Sequence, residues 1–448
     1  MTTLAQRKPR TLKGFRDFLP DQMILRQSIS GRFQEVFERH GFEPLDTPSV
    51  EYLEVLTGNT GENEKLMYRF VDHGGRDVGL RYDLTVPLAR VVAQHQHELG
   101  LPFKRYHIGP VWRAENTQRG RYREFWQCDA DIAGTASMVA DAELIAMFAE
   151  ALAAVGLPEF VVHISHRRLL EAIGRASNIP EDQAATLYRT IDKLDKIGPA
   201  RVVEELAETG IDPVAAQTVM DLVASTGTPS DLLDMLRNRL KSDERAAVAI
   251  EELAEIFALL PSFGVDQDRY RLDLSLARGL DYYTGPVYEA RVVSPKVGSV
   301  GGAGRYDNLI GSFLGRPVPA TGMSLGLERI IEVVMEHRLL SVPRSNTDVF
   351  VAYFAETTDQ AIRVADQLRL HRLNVDLSLL SRRGIGDQLK YADRKGIPLA
   401  VIVGTEEMGR GEVSVKHLES GNQSSHDVGL VGEVVASMVA STASGLPG

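Results

Sequence analysis

The stretch FKRYHIGPVWRAENTQRGRYREFWQCDADIAG, residues 103–134, decides how this sequence is expected to fold. Two runs of alternating side chains flank the polar segment ENTQRG, a pattern typical of two antiparallel strands joined by a turn. Every second side chain of an extended strand shares a face. One face of the second run would carry Arg121, Arg123, Phe125, Gln127, Asp129 and Asp131. That face is basic at one end and acidic at the other, which predicts a ligand with an anionic and a cationic end.

Basic residues concentrate at the turn end of this ribbon. Between residues 104 and 123 there are six Lys and Arg residues against one acidic residue, Glu115, in a chain whose net charge is −11. If the turn centres near residue 117, Arg113 lies across from Arg121. Guanidinium groups match phosphate oxygens bidentately, so this pair predicts a phosphate-binding site. A solvated basic hairpin is the alternative, but the carboxylates on the same face favour the site.

Length and composition set the class of protein. A chain of 448 residues exceeds what one hydrophobic core supports and predicts about three domains. Its net charge of −11 means that a nucleic acid would have to be bound by local basic patches. The one cysteine, Cys128, excludes an internal disulfide and a multi-cysteine zinc site, which fits a reducing cytosol. No segment predicts a membrane span or a secretory signal, so we expect a cytoplasmic protein.

The sequence pattern changes along the chain in a way that predicts its domains. Residues 1–175 combine helical and strand-like runs and would form the first part of a sheet-based domain. Residues 176–262 read as successive helices, which predicts a helical insertion, and strands return in residues 263–340 as the second part of the same domain. Residues 347–448 alternate strands with helices and predict a compact α/β unit with a largely parallel sheet. The expected fold class is α+β with a helical insertion and an α/β C-terminal domain.

The segment LARGLDYYTGPVYE, residues 276–289, carries candidate site residues. Arg278 is followed by Tyr282 and Tyr283 and then by a turn around Pro286. Tyrosine pairs on strands are more often packing than recognition, so this signal depends on the rest of the pattern.

Two further segments carry polar residues next to apolar runs. PATGMSLGLERIIEVV, residues 319–334, reads as a buried strand that runs into a helix, with Arg329 in the first helical turn. A cation is disfavoured there unless an anion binds beside it. RYDLTVPLAR, residues 81–90, predicts a strand that places Asp83 and Thr85 on one face.

Several competing signatures are missing from the sequence. No G-x-x-x-x-G-K-[ST] occurs, which excludes a P-loop, and no H-E-x-x-H occurs. His95, His97 and Glu98 have a metal-like spacing, but a polar helix end is the favoured interpretation. No metal site built from protein ligands is therefore predicted.

Together these segments resemble the class II aminoacyl-tRNA synthetases, and among them the histidyl-tRNA synthetases. The resemblance covers nearly the whole chain, from KGFRDFLPDQM (13–23) through the 103–134 stretch to GMSLGLERI (322–330). The segments around RGLDYYTG and GRYD are the most discriminating. QLKYADRKGIPLAVIVGTEE (388–407) is similar to the family's anticodon-binding domain. The resemblance implies a catalytic core with an antiparallel sheet flanked by helices, in a homodimer.

The resemblance also implies the reaction. A histidine–tRNA ligase activates L-histidine with ATP to histidyl-adenylate and pyrophosphate, and then transfers the histidyl group to the 3′ end of tRNA(His). Mg²⁺ would be bound through the ATP phosphates. The ligand with two unlike ends would then be the histidyl-adenylate, with its phosphate at the arginine end of the ribbon and its ammonium and imidazole groups at the carboxylate end.

Residue roles follow from the same resemblance. Arg113 would hold the α-phosphate and the substrate carboxylate, and Arg278 would stabilise the charge that develops on the α-phosphoryl group. The implied ATP-binding set is Arg113, Arg121 and Arg329. The implied histidine-binding set is Asp83, Thr85, Arg113, Gln127, Asp131, Arg278, Tyr282 and Tyr283, with Asp83, Thr85 and Gln127 at the α-amino group and Asp131 with a tyrosine at the imidazole. Cys128 falls on the opposite face and is interpreted as a packing residue.

Two alternatives stay open from the sequence. The chain could be a non-catalytic relative, the histidyl-synthetase-like regulatory subunit of ATP phosphoribosyltransferase. That protein would be expected to lack the C-terminal module and the ATP-side arginines, and this chain keeps both. The helical insertion is expected to clamp the acceptor arm of the tRNA, with a solvated spacer as the alternative.

Overall fold

The computed structural model describes residues 8–57, 61–117, 120–277, 282–294, 298–380 and 382–444. These residues form two compact units. The first unit contains the described residues up to Asp17 together with Ile29–Leu340, and the second contains Phe18–Ser28 together with the described residues from Ser341 onward. Within these ranges no helix has both the length and the apolar character that crossing a membrane requires.

The regular elements are numbered in chain order. The helices are α1 (Pro20–Arg39), α2 (Leu53–Leu56), α3 (Thr85–Gln94), α4 (Met138–Ala154), α5 (Arg167–Ala176), α6 (Ala184–Ile191), α7 (Leu194–Glu208), α8 (Pro213–Val223), α9 (Pro229–Arg239), α10 (Glu244–Leu259), α11 (Gly311–Leu314), α12 (Leu327–His337), α13 (Thr358–Leu370), α14 (Ile385–Lys395), α15 (Thr405–Gly409) and α16 (Val431–Ser444). The strands are β1 (Glu43–Pro44), β2 (Val50–Tyr52), β3 (Arg69–Val71), β4 (Asp77–Leu80), β5 (Phe103–Trp112), β6 (Glu124–Ala133), β7 (Glu159–His166), β8 (Tyr270–Leu272), β9 (Pro286–Ser294), β10 (Gly298–Arg305), β11 (Ala320–Gly326), β12 (Val349–Tyr353), β13 (Val375–Leu377), β14 (Leu399–Val403), β15 (Glu412–His417) and β16 (Gln423–Asp427).

A sheet with the strand order β1–β5–β6–β11–β10–β9–β7–β8 forms the centre of the first unit. Its inner pairs are antiparallel. At the two edges β1 pairs with β5 and β8 pairs with β7 in parallel. Helices α4 and α12 pack against the sheet. The predicted antiparallel sheet flanked by helices is confirmed, with a short parallel strand added at each edge.

The predicted hairpin is present as β5 and β6, which pair antiparallel up to Trp112 and Glu124. The expectation that Arg113 lies across from Arg121 is wrong, because the backbone N–H of Arg113 donates to the carbonyl of Arg123 at 2.9 Å. Arg121 precedes β6 and is not part of the strand. The connection centres one residue later than expected, which moves each cross-strand partner by two positions and leaves the two faces unchanged.

The predicted strand that carries Asp83 and Thr85 is also wrong. Asp83 lies in the connection after β4, and Thr85 is the first residue of α3. Pro87 occupies the first turn of this helix, where its missing N–H costs no intrahelical hydrogen bond. Oδ1 of Asp83 accepts a hydrogen bond from the N–H of Val86 at 3.0 Å, which satisfies another amide of that turn. The first half of α3 is buried all round, so the sequence shows no amphipathic period there.

Helices follow one another between β7 and β8, where the described residues contain no strand. Polar caps begin several of them: the side chain of Asp212 accepts from two amides of α8, and Asp243 does the same for α10. Nε2 of the fully buried His166 lies 2.7 Å from Oε2 of Glu252 and links the end of β7 to α10. Helices α6–α10 fall within the predicted helical insertion, residues 176–262, whose limits stay a prediction.

The second unit is built on a sheet with the order β13–β12–β14–β15–β16. Strand β12 pairs in parallel with β13 and β14, whereas β14, β15 and β16 pair antiparallel. The sheet is therefore mixed and not largely parallel, because β15 and β16 follow each other through a short turn that only an antiparallel pair allows. Helices α13 and α16 share one apolar core with the sheet, and α14 shares a second.

A small antiparallel sheet, β2–β4–β3, completes the first unit. Helix α2 covers one of its faces, where a side chain at Gly79 would meet Leu56. On the other face Val50, Tyr52 and Phe70 are exposed. This face, named here the open apolar face, is unusual for a surface that meets only water.

Candidate active site

A cavity of about 370 Å³ lies against one face of the central sheet of the first unit. The β5–β6 hairpin, β10, the end of β11 and the start of α12 form its wall. The residues predicted from the sequence that line it are Arg113, Arg121, Gln127, Tyr282, Tyr283 and Arg329. A larger cavity of about 810 Å³ lies between α9, α10 and the start of β8, but it contains none of the predicted site residues. The smaller cavity is therefore the candidate active site.

Residues with small side chains form the floor of this cavity. On β11, Gly326 pairs with Gln127 and Ser324 pairs with Asp129 of β6. On β10, Gly302 pairs with Ser324 and so lies on the same face. A Cβ atom added to Gly302 would meet no heavy atom within 4 Å. The floor leaves the space above the sheet open for a ligand.

Arg113 lies within cation–π distance of two aromatic rings. Its Cζ atom lies 4.2 Å from the ring centroid of Tyr82 and 5.0 Å from that of Phe125. Its Nε–H donates to the carbonyl of Tyr82 at 3.2 Å. The contacts with both rings and this hydrogen bond orient the planar guanidinium group before any ligand binds.

Arg329 and Arg121 bring further positive charge to the cavity. Arg329 lies in the first turn of α12, so the predicted strand-to-helix junction is confirmed, and its Nη1–H donates to the carbonyl of Ser299 at 2.5 Å. Arg121 is about half exposed, with Nη1 3.8 Å from Oε2 of Glu115. Three guanidinium groups thus share one cavity with the amino-terminal end of a helix, an environment that favours an anion.

The carboxylates of Asp129 and Asp131 lie on the same face of β6 as Gln127, but both are buried and neither residue lines the cavity. Oδ2 of Asp131 lies 2.8 Å from Nη2 of the fully buried Arg105, and Asp131 also accepts a hydrogen bond from the hydroxyl of Tyr306. Burial raises the pKa of Asp131, and the charge of Arg105 opposes this increase. Burial also raises the pKa of Asp129 to about 8, although Arg105 and the hydroxyl of Ser324 favour its charged form.

Two acceptor atoms beside the cavity lack donors. Nε2 of Gln127 donates to Oγ of Ser324 at 2.7 Å, whereas Oε1 of Gln127 receives no hydrogen bond from the described part of the chain. The same holds for Oδ1 of Asp129 within the described ranges. Buried acceptors without a donor are costly, so they are suited to a ligand that brings its own N–H groups.

Tyr282 and Tyr283 form an aromatic corner of the cavity. Their ring centroids are 4.8 Å apart in an edge-to-face arrangement, and the ring of Tyr282 lies 6.2 Å from that of Tyr306. Burial raises the pKa of both hydroxyls, and the carboxylates of Asp83 and Asp129 raise it further. The two hydroxyls therefore stay protonated and can donate hydrogen bonds near neutral pH.

The remaining predicted site residues lie deeper or outside the described chain. Asp83 is buried, does not line the cavity, and has a pKa raised by burial and lowered in part by the charges of Arg113 and Arg105. Thr85 is buried at the start of α3 and does not line the cavity either. Arg278 lies outside the described residues, so its role stays a prediction.

Some site residues were missed in the sequence. The alternation of the sequence placed Asp129 on the face of Gln127 and Asp131, but no binding role was assigned to it. Glu328 lines the cavity, and its Oε1 accepts a hydrogen bond from the N–H of Trp126 at 3.1 Å. No local pattern signals this contact, because its two residues are separated by 202 positions along the chain.

Family comparisons agree with the architecture. Residues 14–330 match the family described as histidyl-tRNA synthetase, and residues 348–438 match the anticodon binding domain. The chain is 43% identical over 419 residues to the histidine–tRNA ligase of Rhodopirellula baltica, which spans 92% of this chain and 93% of that protein. It is also 43% identical over 425 residues to the histidine–tRNA ligase of Aeropyrum pernix, spanning 94% and 96% of the two chains.

Solved structures share the fold. The histidyl-tRNA synthetase of Nostoc sp. PCC 7120 superposes with a TM-score of 0.86 at 34% identity and covers 97% of this chain and 100% of its own. A Bacillus halodurans protein described as an ATP phosphoribosyltransferase regulatory subunit/histidyl-tRNA synthetase has a TM-score of 0.76 at 24% identity, covering 89% and 99% of the two chains, which shows the fold alone. From these matches and the cavity just described, the chain belongs to the histidyl-tRNA synthetase family.

Proposed function

We propose that this protein is a histidine–tRNA ligase that joins L-histidine to tRNA(His) at the expense of ATP. The polarity of the candidate active site carries the proposal. Arginines that line the cavity match the phosphates of ATP, and the buried acceptors on Gln127 and Asp129 match the α-ammonium group of an amino acid. A histidyl-adenylate carries both kinds of group on one molecule.

The first chemical step forms the adenylate. A carboxylate oxygen of histidine attacks the α-phosphorus of ATP, a new P–O bond forms, and the bond to pyrophosphate breaks. Arg113, oriented by its contacts with two rings, is suited to hold the α-phosphate and the attacking carboxylate in line. Such alignment supplies much of the acceleration. Arg278 would stabilise the charge that develops on the phosphoryl oxygens.

Amino-acid selection is assigned to the carboxylate end of the site. Asp131 is held by Arg105 and Tyr306 and is suited to bind the imidazole together with Tyr282 or Tyr283. A site whose buried polar groups require a hydrogen-bonding ring rejects apolar analogues by roughly 10⁴ to 10⁵ without editing. The α-amino group is assigned to Gln127 and Asp129, with Asp83 and Thr85 behind them.

Mg²⁺ is the expected companion of ATP in this reaction. The carboxylates that line the cavity are Glu115 and Glu328, and the described residues contain no cluster of three or more metal-binding side chains. Glu328 is already engaged by Arg16 at 2.8 Å, so this lining fits a cation that keeps several waters and is held mainly by substrate phosphates. Bound there, Mg²⁺ would neutralise charge on the β- and γ-phosphate oxygens.

In the second step, a ribose hydroxyl at the 3′ end of the tRNA attacks the carbonyl carbon of the adenylate, and AMP leaves.

The second unit is proposed to bind the anticodon of the tRNA. Residues 344–448 contain 11 Lys and Arg against 13 Asp and Glu, a net charge of −2, so recognition would rely on splayed bases and local contacts.

The helical segment 176–262 is strongly negative, which bears on whether it can bind tRNA. It contains 8 Lys and Arg against 16 Asp and Glu, a net charge of −8 within a total of −11. Phosphate backbones are bound through neutralisation by cations, so this balance favours the solvated spacer over a clamp on the acceptor arm.

We further propose that the protein works as a homodimer in the cytoplasm. The open apolar face supports the homodimer.

ATP–pyrophosphate exchange by the purified protein, with each of the twenty amino acids tested singly and without tRNA, examines the proposal. Exchange with histidine alone is the expected result. The absence of exchange with every amino acid would contradict the ligase and favour the regulatory subunit. Exchange with another amino acid would retain the adenylate chemistry and reject the assignment of Asp131 to the imidazole.

A further inference from the structure

The amino-terminal segment KGFR, residues 13–16, reaches the wall of the candidate active site from outside. The carbonyl of Gly14 accepts hydrogen bonds from the N–H groups of Arg123 at 2.9 Å and Glu124 at 3.4 Å, at the start of β6. A Cβ atom added to Gly14 would lie 2.7 Å from Cγ of Arg123, and the φ of +86° also favours glycine. The segment is therefore fixed against the strand that carries the predicted histidine-binding residues.

Arg16 contacts two residues of the cavity wall without lining the cavity itself. Its Nη2–H donates to Oε2 of Glu328 at 2.8 Å. Its Cζ atom lies 3.3 Å from the ring centroid of Tyr122. The side chain of Glu328 is 5% exposed and that of Arg16 is 32% exposed, so the ion pair is partly shielded from solvent.

Glu328 lies where its negative charge would affect the binding of the nucleotide. Glu328 directly precedes Arg329 in the first turn of α12 and lines the same cavity. An uncompensated carboxylate there would repel the phosphates that the arginines attract. Tyr122, the second partner of Arg16, donates its hydroxyl to Glu332 of α12 at 2.8 Å. One guanidinium group thus neutralises the carboxylate and holds the hairpin against α12.

We propose that Arg16 is a positioning residue for ATP, which acts by neutralising Glu328 and by fixing Tyr122 at the nucleotide end of the cavity. The inference rests on the proposed function, in which that end binds the phosphates. It assigns a role to the KGFRDFLPDQM segment, which the sequence marked as part of the family resemblance.

The test compares Arg16→Gln, Arg16→Lys, Glu328→Gln and the double variant Arg16→Gln/Glu328→Gln in the full chain. KM values for ATP and for histidine are measured in ATP–pyrophosphate exchange, and ATP affinity is measured by calorimetry without amino acid. We expect Arg16→Gln to raise the KM for ATP by about tenfold. The KM for histidine should stay within about twofold, because the variant leaves the carboxylate end unchanged.

Charge compensation separates this role from a merely structural one. Arg16→Lys keeps the charge and should recover part of the loss. The double variant should recover most of it, because the negative charge of Glu328 is removed together with the positive charge of its partner. Arg175→Gln is the matched control, since Arg175 pairs with Asp243 at 2.7 Å in the helical segment. It should change neither KM.

Three results would overturn the inference: an unchanged ATP affinity in Arg16→Gln, an equal rise in both KM values, or no recovery in the double variant. The calorimetric measurement keeps the test independent of the amino acid. If the wild-type protein fails to exchange with histidine, the proposed function falls, and a loss of ATP affinity in Arg16→Gln that the double variant reverses still supports the role of Arg16.

Discussion

At Arg113 the surroundings determine what the side chain can do. The rings of Tyr82 and Phe125 lie on the guanidinium group, and a backbone carbonyl takes one of its N–H groups. The remaining donors are oriented before the ligand arrives, so less rotational freedom is lost on binding.

Arg113→Lys tests this orientation. Lysine keeps the positive charge but lacks the planar fork and the stacked face, so we expect the exchange rate to fall by about 10²- to 10³-fold with little change in melting temperature. Arg269→Lys is a matched control, because Arg269 stacks at 4.7 Å on Phe160 outside the cavity. Exchange by Arg113→Lys at the wild-type rate would contradict the assignment.

Asp129 should make stability depend on pH. Burial raises its pKa from 3.8 to about 8, so between these values the folded protein holds a proton that the unfolded chain has released. The free energy of unfolding should therefore fall as the pH rises across this window. Asp129→Asn removes this contribution, so the variant should gain stability relative to wild type as the pH rises from about 4 to about 8 in urea unfolding, and the difference should level off above that. A constant difference between the two proteins would contradict the raised pKa.

At the scale of elements, a glycine of β11 leaves space for a side chain of the neighbouring strand β6. Gly322 lies between Asp131 of β6 and Gly304 of β10 in the register of the sheet. A Cβ atom on Gly322 would collide with the carboxylate of Asp131. The ion pair between Asp131 and Arg105 therefore depends on a glycine in a neighbouring strand.

Gly322→Ala should displace Asp131 and disturb its ion pair. We expect a loss of about 1–3 kcal/mol in the free energy of unfolding, from overpacking, and a rise of about tenfold or more in the KM for histidine. Gly31→Ala serves as the control, because Gly31 lies within α1 and a Cβ atom there would meet no atom within 4 Å. An unchanged KM for histidine in Gly322→Ala would separate Asp131 from amino-acid binding.

At the scale of the whole molecule, the open apolar face of β2–β4–β3 bears on assembly. Tyr52 is 48% exposed and Phe70 is 46% exposed on one face of this sheet, and α2 packs on part of the opposite face. Contiguous apolar surface of this kind marks an interface more often than an ordinary surface. The proposed homodimer would bury it against a second copy of the chain.

Phe70→Glu should weaken the dimer. We expect sedimentation velocity to give twice the chain mass of 49.3 kDa for the wild-type protein and a shift toward the single-chain mass for the variant. Val248→Glu is the control, since Val248 is 48% exposed on α10, away from this face. A wild-type protein that sediments as a single chain would reject the dimer.

The sequence by itself determined the features that depend on local periodicity. Alternation identified β5 and β6 and placed Gln127 and Asp131 on one face, because a strand repeats every two residues. The change from a buried run to a helical period identified the β11–α12 junction and Arg329. The quoted segments also pointed to the family, which the comparisons confirmed.

Tertiary structure decided what depends on register and on distant chain segments. The hairpin connection centres one residue later than expected, so Arg105 pairs with Asp131, where the earlier centre would have paired it with Asp129. The segment after Asp83 begins helix α3. Because the first residues of this helix are buried on all sides, their sequence shows no helical period and resembles a strand. Arg16 meets Glu328 across 312 positions of chain. Contacts of this length arise from packing in three dimensions, so no local pattern of residues can specify them.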